Sequence, residues 1–184
     1  LSHAERPLIF AGGPRWTPEA AEKITRFAEE HRIPIVQDFR AADRVPFDSP
    51  ANAGWLGYGR DPRAAQLLEA ASLVIEVGAV LGDVPTDGYT LRQSPQARNI
   101  AINPDTSLRG HSVALVEHIV ASPVAFAHTL DRLSVEGKDK RGEDGLHVGG
   151  AFFTGTIVRG LGEGGEVEVV RVRGVEPVSY THLT

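Results

Sequence analysis

Short apolar runs alternate with amphipathic stretches along the first 133 residues. Pro7-Leu8-Ile9-Phe10-Ala11 is apolar throughout and stops at Gly12-Gly13, which predicts a buried strand ending in a tight turn. Thr17-Pro18 then opens a helix, because Thr caps well and Pro suits the first helical position. Ala20, Ile24, Phe27 and Ala28 share one face of it, and Glu22, Lys23, Glu29 and Glu30 lie elsewhere. Pro34–Phe39 predicts the next strand, and a polar stretch, Arg40–Asn52, leads to a glycine-aromatic loop, Gly54-Trp55-Leu56-Gly57-Tyr58-Gly59. Asp61-Pro62 repeats the cap device and places Ala64, Ala65, Leu68 and Ala71 inward. Leu73–Val77 and Arg98–Ile102 read as strands, the first ending at Gly78 and the second at Asn103-Pro104-Asp105. Val113–Val120 reads as a further strand, and Ser122-Pro123 caps a last helix with Phe126, Ala127, Leu130 and Leu133 as its stripe.

Strand, loop, capped helix and strand in repetition predict an α/β fold. The expected architecture is a parallel sheet of five or six strands with helices on both faces. Right-handed crossovers make this Rossmann-like, with ligands at the carboxyl ends of the strands.

Composition divides the chain. The protein has 184 residues, a hydrophobic fraction of 41% and a charged fraction of 23%, as a globular fold requires. Residues 1–133 contain 9 Gly and 11 Pro, whereas residues 134–184 contain 11 Gly and 1 Pro. The stretch Val135–Gly150 mixes charges of both signs with glycine and few apolar anchors, which is linker composition. The expected units are therefore a domain over 1–133 and a Gly-rich tail over 134–184. The ending Ser179-Tyr180-Thr181-His182-Leu183-Thr184 resembles translated adapter sequence, which would make the tail chimeric. Against that, Gly165–Val172 alternates as a hairpin strand does. Limited proteolysis of the whole chain is expected to cut first between Gly137 and Gly150 and leave a core ending near Leu133. A tail that resists protease as well as the core does would make it part of the fold.

Charge and residue usage narrow the chemistry. The net charge is −5 and no basic tract exists, so nothing suggests nucleic acid. No apolar run reaches the roughly 18 residues of a membrane span, and no signal-peptide pattern opens the chain, so a cytoplasmic setting is expected. Cys is absent, which removes disulfides and thiolate chemistry. The chain opens Leu1-Ser2-His3 and holds no Met, which predicts a piece of a larger protein. The seven His form no HxxxH, HxH or HExxH spacing, and no Ser sits in a GxSxG elbow.

Candidate binding positions lie at the predicted strand ends. Gly12 and Gly13 permit close approach to a diphosphate near a helix start, although there is no GxGxxG and Pro14 lacks a donor. The alternative is a simple turn. The glycine-aromatic loop that holds Gly57 lies against a flat ring or a neighbouring domain, or else is a turn carrying two aromatic plugs. Asp105 stands where a carboxylate can take a ribose hydroxyl, or else closes an Asn-Pro-Asp turn. Glu76 falls on a covered sheet face, where a carboxylate requires a gap in the helix layer or an Arg partner.

Residues 6–133 resemble the central domain of thiamine-diphosphate-dependent enzymes of the acetolactate synthase and benzoylformate decarboxylase group. Arg6–Gly13 resembles the family's opening strand and glycine turn, and Ile33-Pro34-Ile35-Val36 its second strand. Ala53–Gly59 stands at the family's glycine-rich loop. Ala71–Ala79 resembles the fourth strand, including Gly78-Ala79, and Ile100–Asp105 a later strand end. The resemblance implies the middle domain of a three-domain lyase or transferase acting on 2-oxo acids, a homodimer or homotetramer when complete. It places the cofactor-activating Glu in a preceding domain and the diphosphate and magnesium ligands in a following one. No thiamine diphosphate or Mg ligand is therefore expected in this chain. Some members hold FAD in the middle domain, but Val80 stands where those usually carry an Arg. The open alternatives are a free-standing nucleotide-binding module and a non-catalytic scaffold domain.

Overall fold

The computed structural model describes residues 6–108 and 113–130, together with strands at 156–161 and 167–171. The chain runs β1 (Pro7–Ala11), α1 (Pro18–His31), β2 (Ile35–Asp38), β3 (Asn52–Leu56), α2 (Pro62–Ala70), β4 (Leu73–Val77), β5 (Arg98–Ile102), β6 (Leu115–Ile119) and α3 (Pro123–Leu130). These form a six-stranded sheet in the order β3-β2-β1-β4-β5-β6, parallel at every pairing. The Rossmann-like α/β fold expected from the sequence is what forms.

Two layers of apolar side chains explain why the sheet is covered on both sides. Ile9, Ala11, Ile75, Val77, Ile100 and Ile102 pack with Ala20, Ile24 and Ala28 of α1 and with Ala127 and Leu130 of α3. Leu8, Phe10, Val36 and Val74 pack with Ala64, Ala65 and Leu68 of α2. Alternate residues of each strand thus serve opposite layers, as the twofold strand period requires. The helix starts follow the cap chemistry read from the sequence. Thr17 Oγ1 accepts the Ala20 N–H at 3.2 Å, Asp61 Oδ1 the Arg63 N–H at 2.8 Å and Ser122 Oγ the Ala125 N–H at 3.1 Å. Hydrogen bonds from Arg63 hold the Asp61 carboxyl down at about 2.

Two features depart from the sequence reading. The polar stretch and glycine-aromatic loop contain an edge strand, β3, at Asn52–Leu56. Only its Leu56 is buried, so the hydrophobic pattern gave it no signal. The crossover from β4 to β5 has no helix; the segment after Gly78 covers the sheet there, with Leu81 in the α2-side layer and Leu91 packed against it.

The tail contains β7 (Thr156–Leu161) and β8 (Val167–Arg171), an antiparallel pair separate from the main sheet. The stretch Val135–Gly150, the expected boundary near Leu133 and the terminal hexapeptide lie outside the described residues. No helix among the described residues is long and apolar enough to cross a membrane.

Candidate functional site

In the observed strand order the chain reverses direction across the sheet between β1 and β4. Such a switch point leaves a crevice at the carboxyl ends of the two strands. Gly12-Gly13-Pro14 leaves β1 there, and Gly78-Ala79-Val80 leaves β4. A cleft of about 380 Å³ opens between them, lined also by Asp38, Arg40 and Arg44. Four of the sequence-predicted positions, Gly12, Gly13, Gly78 and Ala79, therefore meet at one place.

Their geometry explains why glycine is needed. Gly13 has φ +70°, and a Cβ there would be driven into the Gly78 carbonyl oxygen. Gly78 has φ +68°, and its Cβ would stand 2.6 Å from Gly12 O and 2.8 Å from Pro123 Cγ. The two turns are packed backbone to backbone. Trp16 Nε1 donates to Gly12 O at 2.8 Å and ties the first turn down.

The cleft wall carries two cations and one anion. Asp38 Oδ1 accepts the Arg40 N–H at 2.8 Å and so starts a single 3-10 turn, Phe39–Ala41. The Arg40 guanidinium lies 4.4 Å from the centre of the Phe39 ring. Arg44 pairs with Asp43 at 2.8 Å and reaches Gly13 O at 3.4 Å. Sequence reading noted the Phe39-Arg40 strand end but missed Asp38 and Arg44. Arg44 arrives from a polar stretch through tertiary placement alone.

The remaining predicted positions lie elsewhere. Gly57 sits against Phe39, where a Cβ would meet the ring at 2.6 Å, and lines a second cleft of about 450 Å³ with Arg60 and Glu69. Arg60 closes one side of it through an ion pair with Asp87 at 2.6 Å. Asp105 follows β5, and its Oδ1 accepts the Ser107 N–H at 2.8 Å and the Ser107 hydroxyl at 2.7 Å. It does not line the switch-point cleft.

Glu76 meets no Arg. It is 2% exposed, and its Oε2 accepts the Leu81 N–H at 3.1 Å. Burial pushes the carboxyl up to about 7, with the Leu81 N–H pulling the other way. Among the described residues no group of three or more His, Asp or Glu side chains is placed to hold a metal ion.

Sheet order, switch point and glycine-built crevice define a Rossmann-like α/β domain of the doubly wound class. Residues 1–131 match the family model described as thiamine pyrophosphate enzyme, central domain, and the chain belongs to that family. A 3D-(3,5/4)-trihydroxycyclohexane-1,2-dione hydrolase of Clostridium perfringens is 30% identical over 103 residues, 56% of this chain and 16% of the relative. The protein of that name from Clostridium tetani is 28% identical over 144 residues, 78% of this chain and 22% of the relative. A sulfoacetaldehyde acetyltransferase of Rhodobacter capsulatus is 32% identical over 109 residues, 57% of this chain and 18% of the relative. The chain thus spans only 16–22% of the length of these curated relatives.

Proposed function

We propose that this chain is the middle domain of a larger thiamine-diphosphate-dependent enzyme, and that catalysis needs residues outside it. The match to the central-domain family over residues 1–131 carries this reading. The domain's part is to position its neighbours, and residues 134–184 form a separate unit. In the complete enzyme the cofactor supplies the carbanion chemistry, and the ligands for it and for magnesium come from the other domains. The complete enzyme is a cytoplasmic homodimer or homotetramer.

The substrate class is a carbonyl compound with an activated neighbouring carbon. The acetolactate synthase-like reading gives a 2-oxo acid that is decarboxylated or ligated. The relatives named for a cyclic 1,2-dione favour an adjacent pair of carbonyls instead. Both place an electron-poor carbonyl carbon before the same cofactor. The test is to supply the 184-residue chain with thiamine diphosphate, magnesium and either pyruvate or a cyclic 1,2-dione. No turnover is expected. Cofactor-stimulated consumption of either substrate by this chain would overturn the reading.

A second reading concerns the switch-point cleft. Arg40 and Arg44, against one carboxylate at Asp38, bring two guanidinium groups beside the Gly12-Gly13 and Gly78-Ala79 turns, which suits a nucleotide diphosphate. Asp105 and Gly57 would then serve only if the ligand extended beyond the cleft. Val80 argues against a flavin. A thermal-shift series with ADP, NAD and FAD distinguishes the cases. A rise with ADP that is lost in Arg44→Ala supports a nucleotide site, and no rise with any of them leaves a scaffold domain.

A further inference from the structure

Among the described residues Glu76 is the one carboxylate that the sheet buries in an apolar layer. Its neighbours in register are Phe10 of β1 and Ala101 of β5. The α2 side chains turned to this layer are Ala64, Ala65 and Leu68. Its Oε1 is buried and has no hydrogen-bond partner, and its Oε2 accepts only from Leu81 N. An ionised carboxylate has about four acceptor sites to satisfy. Here one is filled, so the neutral acid suits this position far better than the anion.

The residue that Glu76 holds is at the end of the cleft wall. Gly78, Ala79 and Val80 line the switch-point cleft, and Leu81 follows directly. Glycine stands at both ends of this turn, at Gly78 and Gly82. Gly82 has open space around its Cβ position, the nearest atom being Val80 O at 4.0 Å. The turn is tied at its ends by Gly78 N–H to Ile102 O and Gly82 N–H to Val80 O, each at 2.8 Å, and the Glu76 carboxyl fastens it to the sheet through the Leu81 N–H.

We infer that Glu76 is a charge-controlled latch on the cleft wall: the neutral acid keeps the Gly78–Leu81 turn packed, and ionisation admits water and shifts the turn. The proton leaves to solvent, and the new charge is met by water that the packed turn excludes. Any cleft ligand that touches Gly78, Ala79 or Val80 then sees a different wall above neutrality than below it. The value of about 7 for the carboxyl puts the change near neutral pH.

The other ionisable groups around this layer lie on neighbouring strands, on α2 or on the crossover. Asp38 shares its sheet face two strands away, and its carboxylate is engaged by the Arg40 N–H. His118 shares that face two strands away on the other side, with Nε2 on Asn103 O at 2.9 Å. Arg63 and Glu69 of α2 and Asp83 of the crossover are exposed. His31 and His128 lie on α1 and α3, which pack on the opposite layer. Burial and the Leu81 N–H are the two influences on the Glu76 carboxyl.

The test is an NMR titration of the 184-residue chain from about pH 5 to about pH 9, following the Glu76 carboxyl carbon and the backbone amides of the turn. The carboxyl is expected to titrate near neutrality, and the Leu81, Val80 and Ala79 amides to shift with the same midpoint. Trp16, whose Nε1 would lie 3.3 Å from a Cβ on Gly78, reports the same midpoint by fluorescence in a Trp55→Phe background. In Glu76→Gln the common midpoint disappears from the turn amides. A carboxyl that titrates in the ordinary carboxylate range overturns the latch. So do turn amides that stay flat while Glu76 titrates, and a midpoint that survives in Glu76→Gln. The outcome is independent of what the complete enzyme catalyses.

Discussion

Gly13→Ala will lose about 2–5 kcal/mol of folding stability, whereas Gly88→Ala will lose only about 1–2 kcal/mol. The two glycines have nearly the same backbone, with φ +70° and +64°. Each alanine variant therefore incurs the same left-handed strain, about 1–2 kcal/mol. Gly88 has nothing within 4 Å of its Cβ position, so strain is its whole cost. At Gly13 the added methyl is driven into the Gly78 carbonyl, and that carbonyl belongs to a second packed turn. Forcing the turns apart adds about 1–3 kcal/mol, which brings the total to about 2–5 kcal/mol. Most single domains have about 5–15 kcal/mol in all. Urea unfolding of both variants beside the parent measures the difference. Equal losses would mean that the two turns do not meet as described.

The second large effect is a pH-dependent one at Glu76. Its carboxyl sits at about 7 in the folded chain against an ordinary value of 4.5. Between those two values the folded state holds a proton that the unfolded chain has released. Stability therefore falls as pH rises through that window and levels off above it. For so buried a group the change is on the order of 3 kcal/mol, less whatever the turn recovers by relaxing. Glu76→Gln removes the ionisation while keeping an acceptor for the Leu81 N–H. Its two amide hydrogens find no acceptor, so near pH 5 it is expected to match or fall slightly below the parent. Near pH 8 it is expected to be the more stable of the two. Unfolding curves at both pH values decide; profiles that run parallel would remove Glu76 from the account.

The parts of the fold that were legible are those where one strand or helix carries its own signal. Pro7–Ala11 is apolar on both faces, and Leu73–Val77 and Arg98–Ile102 are mostly so apart from Glu76, Arg98 and Asn99, because helices or loops cover both sides, and the apolar runs find them directly. The three helices announce themselves through Thr17, Asp61 and Ser122, each before a proline. Strand β3 was not legible because Asn-Ala-Gly-Trp-Leu holds turn residues at an edge that hides only Leu56. It is a strand because β2 offers it a ladder, which is a property of the neighbour.

The cleft divides along the same line. Glycine after an apolar run marks a strand end, so Gly12, Gly13 and Gly78 were visible, but that they touch each other depends on the pairing of β1 with β4. Asp38 and Arg44 reach the cleft only through that assembly. Glu76 was visible as a misplaced carboxylate. Its partner was not, because the Leu81 N–H is a backbone group that no side-chain pattern records. The resemblance of residues 6–133 to the central domain of thiamine-diphosphate enzymes agrees with the family match over residues 1–131. It reached further than the site chemistry could, because it rests on the order of several loose motifs.

The account's central claim is that this domain serves a thiamine-diphosphate enzyme without carrying its catalytic groups. The most direct measurement uses the polypeptide translated from the genomic reading frame around these residues, assayed beside the 184-residue chain. Each receives thiamine diphosphate, magnesium and a 2-oxo acid or a cyclic 1,2-dione, and substrate loss is followed with and without the cofactor. The account predicts cofactor-dependent turnover by the longer polypeptide and none by the shorter chain. Turnover by the 184-residue chain, or a longer polypeptide that neither binds the cofactor nor consumes either substrate, would contradict it.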